Sequence, residues 1–144
     1  MPNHKNFIEN LALISQISIK KSSEANLSEL DNKYIFTGKI NAFRHIGPNI
    51  SHHRNVSKTK DVNEWIVEDI IDGIENRKII QYWHFSKDIL QKLSISSVDG
   101  ENKNLSPKIE EKWYSSYYGI KDKSIRLSFE SNNNKFITKI IYNK

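Results

Sequence analysis

An antiparallel β-sandwich is the fold class this sequence predicts, and three observations carry that prediction. Apolar residues recur with a period of 2 along most of the chain, the pattern of strands with one buried face. Isoleucine (22 residues) and the aromatics favour strands, while only three alanines leave little support for helix. Turn-forming residues punctuate the chain at short intervals, separating seven or eight candidate strands.

Taken in order, Leu11, Leu13, Ile17 and Ile19 alternate with Ala12, Gln16, Ser18 and Lys20 and define a first strand. Tyr34, Phe36 and Ile40 alternate with Thr37 and Lys39 in a second. Ile50, His52, Arg54 and Val56 share one face of a third, and Trp65, Val67, Asp69 and Ile71 share one face of a fourth. Asp72-Gly73 opens a turn, so residues 77–86 read as the return strand of a hairpin. Further strands fit residues 89–96, 124–130 and 135–142, the last two joined by Ser131-Asn132-Asn133-Asn134. A short helical turn fits near residues 107–112, and residues 22–31 and 98–108 read as exposed connections. No repeat or low-complexity linker divides the chain, so residues 1–144 are expected to form one domain.

A chain of 144 residues buries roughly 70% of its unfolded surface and needs neither a disulfide nor a metal simply to fold. With no cysteine it has no disulfide, no thiolate metal site and no cysteine nucleophile. No apolar run approaches the ~20 residues of a membrane span, and residues 1–6 show no apolar signal region. The formal charge of +5 invites a nucleic-acid reading, but eighteen of the twenty-two basic residues are lysines scattered through every segment. A nucleic-acid footprint concentrates arginine, lysine and aromatic groups on one face. Isoleucine, asparagine and lysine are all abundant and share A/T-rich codons, so part of the basicity is compositional, and no nucleic-acid partner is expected.

Two blocks of motifs carry a family resemblance. The first runs Gly38-Lys39-Ile40-Asn41-Ala42-Phe43-Arg44-His45-Ile46-Gly47, then His52-His53-Arg54-Asn55-Val56, Trp65-Ile66-Val67-Glu68-Asp69 and Tyr82-Trp83-His84-Phe85. The second is Trp113-Tyr114-Ser115-Ser116-Tyr117-Tyr118-Gly119, followed by two strands. In order and spacing they resemble the C-terminal β-sandwich domain of the heparinase II/III-like polysaccharide lyases, from about Gly38 onward. That family's turn commonly reads His-Asp-Gly-Tyr, and here the stretch is Ile40-Asn41-Ala42-Phe43, without the ionisable pair or the tyrosine hydroxyl.

The resemblance implies β-elimination of an acidic polysaccharide, with a periplasmic or envelope setting. A base removes the proton beside a uronate carboxylate that must first be neutralised, and base and acid must lie ~2.6–3.2 Å from the atoms they serve. It also implies a helical toroid, in the same or another chain, that supplies most of the cleft and its catalytic groups. This sequence has no counterpart of the toroid, so the chain by itself is not expected to catalyse the full reaction.

The resemblance further implies one catalytic histidine from the sandwich, in a His-Asn-Thr-like motif. The candidate is His4, in Asn3-His4-Lys5-Asn6, with an exposed terminal histidine as the alternative. His52, Arg54, Asp69 and His84 form a second constellation. It reads either as a structural network in which Asp69 pairs with Arg54, or as a zinc set of two histidines and a carboxylate; no cofactor is required. Trp65, Trp83 and Trp113 read as core residues or as a sugar-stacking platform. His45 and His53 read as solvated side chains. The expected ligand is an acidic polysaccharide, and a non-enzymatic carbohydrate-binding or structural module is the alternative function.

Overall fold

The structure, a computed structural model, describes residues 22–41, 43, 45–115 and 118–143. The strand expected over residues 11–19, together with His4, Arg44, Ser116 and Tyr117, lies outside the described residues. Among the described residues, ten strands and one helical turn follow one another: β1 (Ser22–Leu30), β2 (Lys33–Asn41), β3 (Ser51–Thr59), β4 (Glu64–Asp72), β5 (Ile79–Phe85), α1 (Lys87–Leu90), β6 (Leu93–Asp99), β7 (Asn104–Leu105), β8 (Lys108–Tyr114), β9 (Asp122–Ser131) and β10 (Lys135–Tyr142). They make a seven-stranded sheet in the order β1-β2-β3-β4-β10-β6-β7 and a three-stranded sheet in the order β5-β9-β8. Every pairing is antiparallel.

The alternation read in the sequence becomes the two sides of each sheet. Trp65 and Val67 of β4 and Phe136 and Ile140 of β10 face inward from the larger sheet. Trp83 and Phe85 of β5 and Leu127 and Phe129 of β9 meet them from the smaller one. Trp83 and Phe85, two residues apart on one strand, stack nearly parallel (8°, centroids 6.4 Å apart). Aromatic side chains bury large areas, so this cluster supplies most of the hydrophobic stabilisation of a core one residue layer thick on each side.

Four expectations are corrected. Residues 22–30 are strand β1, not a connection, although its Leu27 remains 70% exposed. Among the described residues β1 stands at the end of its sheet and pairs with β2, and such a strand needs no apolar stripe, which is why the sequence pattern does not reveal it. The helical turn lies at Lys87–Leu90, capped by the Ser86 hydroxyl, and residues 108–114 are strand β8. The connection expected over 98–108 contains the two-residue strand β7. Finally, residues 77–86 do not return beside β4: both edges of β4 are occupied by β3 and β10, and β5 crosses to pair with β9. Gly73 makes that crossing at φ +80°, where a Cβ would lie 2.4 Å from the Asn49 carbonyl oxygen.

Candidate functional site

A set of polar side chains converges in the interior, centred on Asp69. Register places Arg54 of β3 directly opposite Asp69 of β4, with His52 two residues along on the same face as Arg54. Asp69 is 3% exposed, and its two oxygens are fully engaged. Oδ1 accepts from Arg54 Nε (2.6 Å) and lies 2.7 Å from His52 Nε2. Oδ2 accepts from Arg54 Nη2 (3.0 Å) and from Gln81 Nε2 of β5 (2.7 Å). A carboxylate only accepts, so the His52 proton in that contact sits on Nε2. The network continues across the core. Thr138 of β10 donates to Gln81 Oε1 at 2.8 Å, and Thr138 and Ser97 hydroxyls lie 3.0 Å apart.

Burial raises the pKa of the Asp69 carboxyl, but the hydrogen bond from His52 and the charge and hydrogen bonds of Arg54 outweigh it. The group is held well below the usual carboxylate range. Arg54 also lies over the Trp83 ring, 5.7 Å from its centroid, so its guanidinium is held between the buried carboxylate and an aromatic face.

His84 does not join this group. It alternates with Trp83 on β5; Trp83 is 2% exposed and faces the core, so His84 faces outward from the smaller sheet. There it is the register partner of Arg126, whose Nη2 donates to Glu110 at 2.7 Å and whose guanidinium lies 4.6 Å from the Tyr82 ring centroid. Burial, and then the Arg126 charge, push the His84 imidazole below the usual histidine range. The zinc set of His52, Asp69 and His84 therefore does not fit. Two members are in one network and the third is on the far side of another sheet, and among the described residues no three His, Asp or Glu side chains converge as metal ligands.

The remaining candidates separate. Trp65 and Trp83 are core residues, whereas Trp113 on the edge strand β8 is 66% exposed, so the three form no common platform. His53 is not simply solvated: its Nε2 lies 2.9 Å from an Asp72 carboxylate oxygen and 3.2 Å from the Ser51 hydroxyl. Gln81, Thr138 and Ser97 were missed. The signal for Thr138 was present, since it occupies the inward register between Phe136 and Ile140, where a polar residue needs a partner.

An antiparallel two-sheet sandwich with a polar network tying the sheets together is the class that the fold and this site define. No protein-family profile matches the sequence, and no curated protein matches it. Solved structures do. The fold is similar to that of heparan sulfate lyase HepC from Pedobacter heparinus, with a TM-score of 0.69 and 19% identity over 89% of this chain. A heparinase III gene product matches with a TM-score of 0.60 and 16% identity over 85% of this chain, and its lysine-methylated form matches at 0.58 over 86%. The chain spans only 22–23% of the length of these structures. The likeness establishes a β-sandwich shared with one part of much larger chains.

Proposed function

We propose that this chain is the β-sandwich part of a heparinase II/III-like polysaccharide lyase, engaging uronate-containing acidic polysaccharide and contributing to β-elimination only beside a helical toroid. The observation that supports this reading is the extent of the fold likeness: 89% of this chain lies on 23% of a heparan sulfate lyase. The motif order from Gly38 to Gly119 supports it independently, because it rests on residues rather than backbone shape.

The chemistry fits a supporting role. β-Elimination needs a base, an acid and neutralisation of the uronate carboxylate, all held in a cleft that excludes water. The described residues form two sheets with no such cleft, and Arg54, the best-placed cation, is already committed to Asp69. What this part provides is rigidity. The Asp69 network fixes β3, β4, β5 and β10 relative to one another, so that groups at the sandwich rim keep their positions against a second body.

The experiment is to incubate the purified chain with heparan sulfate, chondroitin sulfate and alginate and follow the ultraviolet absorbance of unsaturated uronate ends. The reading predicts no rise with the chain alone and a rise once a toroid-bearing partner is added. A rise with the chain alone would overturn it. Glycan binding with no activity in either mixture would favour the non-enzymatic module instead.

A further inference from the structure

The outward face of the larger sheet carries a feature that the polar network does not use. At the β1 edge the register slips: Ser23 pairs with Lys39 and Asn26 with Thr37, so β1 has one residue more than β2 between these points. Glu24, inside this bulge, sits at φ 67°. A bulge bends its strand and raises it out of the sheet. Here residues 24–26 form the wall of a groove of about 370 Å³ whose floor is the outward face of β2, β3 and β4.

Two transverse rows of side chains make that floor. In one row, Asn26, Thr37, Asn55 and Glu68 are successive register partners across four strands. In the next, Lys39, His53 and Ile70 are partners across three. Strands lie ≈ 4.8 Å apart and same-face residues about 6.7 Å apart along a strand, so the two rows form a regular grid of polar groups. Among the described residues, the side chains of Asn26, Thr37, Asn55 and Lys39 hold no hydrogen bond or ion pair. An asparagine amide offers two donors and an acceptor at one point, which matches neighbouring hydroxyls on a sugar ring. Ile70 supplies an apolar spot for the ring's C–H face.

The charges narrow the ligand. Glu68 is neutralised by Lys135 at 3.0 Å, and His53 is engaged with Asp72 at 2.9 Å. Among the described residues, Lys39 is left as the one cation of the floor without an acidic partner, and Glu24 adds a carboxylate on the wall. One anionic group can be accommodated; a dense array of sulfates would meet too few free cations and a repelling carboxylate.

We propose that this groove binds an unsulfated, uronate-bearing oligosaccharide, with sugar hydroxyls on Asn26, Thr37 and Asn55 and the uronate carboxylate on Lys39. The assignment rests on the reading of the chain as part of a uronate-polysaccharide lyase and adds where one stretch of glycan lies and which charge density it carries.

The test is calorimetric titration with two probes, a hyaluronan hexasaccharide (alternating uronate, unsulfated) and a heparin hexasaccharide (densely sulfated), on the wild type, Asn55→Ala and Lys39→Ala. Loss of one or two hydrogen bonds corresponds to a weakening of about tenfold. Hyaluronan binding by the wild type, weakened about tenfold in each variant with unchanged thermal unfolding, is the expected result. Unchanged affinity in both variants overturns the groove while leaving the lyase-module reading intact. Tighter binding of heparin with a steep salt dependence overturns the charge assignment and the proposal with it. Absence of binding by either probe overturns the groove and the glycan-binding reading together.

Discussion

Gln81 and Asp69 join the two sheets: the Gln81 amide nitrogen, on the three-stranded sheet, donates to the Asp69 carboxylate, on the seven-stranded sheet, across 2.7 Å. This contact ties the carboxylate–arginine pair of one layer to the opposite layer, and Thr138 closes it from β10. A sandwich held by apolar contact alone can slide; a donor–acceptor pair with one good geometry sets the register of sheet on sheet.

Replacing Asp69 with alanine leaves Arg54, His52 and Gln81 without their common acceptor. The expected loss of stability is about 3 kcal/mol, the low end for breaking a buried pair because Arg54 keeps some contact with water. Urea denaturation of wild type and variant measures it. A difference below about 0.5 kcal/mol, the range of ordinary surface changes, would show that the network carries no stability.

Acid stability has a definite sign. The folded Asp69 carboxyl ionises well below its unfolded counterpart, so its contribution is complete above the unfolded value near 3.9 and is lost as the pH falls below it. Melting temperature followed from pH 7 down to pH 2 should drop steeply below about pH 4. Asp69→Asn should start lower and show a shallower acid limb.

His84 gives a second pH dependence, near neutrality. Its folded pKa is depressed by burial and by Arg126, so protonation favours the unfolded chain. The contribution is full above the unfolded value near 6.5 and declines as the pH falls through that value. A nuclear magnetic resonance titration of the imidazole protons should report ionisation below 6.5, and His84→Gln should remove that part of the profile.

The tryptophans separate by role. Trp83→Ala should cost about 3–5 kcal/mol, as expected for an aromatic deleted from a packed core, whereas Trp113→Ala should stay within about 0.5 kcal/mol. Their exposures of 2% and 66% also predict that acrylamide quenches mainly the Trp113 fluorescence. Quenching that survives Trp113→Phe unchanged would contradict this assignment.

Strands with one fully buried side could be read from the sequence. Trp65, Val67, Asp69 and Ile71 share a face in the sequence pattern and are buried together in the structure. Edge strands could not. Among the described residues no sheet covers Leu27 of β1, which carries little apolar signal, and β8 leaves Ile109 and Trp113 exposed for the same reason. Parity placed His52 and Arg54 together and Asp69 across from them, since those relations are local to neighbouring strands. Gln81 and the outward turn of His84 depend on β5 leaving the β4 edge for the opposite sheet, which no local pattern encodes. The groove was hidden for a related reason: its wall is a one-residue slip between β1 and β2, and its rows exist only once four strands are aligned.

The proposed role is engagement of uronate glycan without cleavage by the sandwich alone. One measurement addresses both halves: two-dimensional nuclear magnetic resonance of the labelled chain titrated with hyaluronan hexasaccharide, followed over hours. The expected result is saturable shifts of the amides of Thr37, Lys39, His53 and Asn55, with no olefinic proton signal from an unsaturated uronate. Shifts absent from that face, or an olefinic signal growing with time, would contradict the claim.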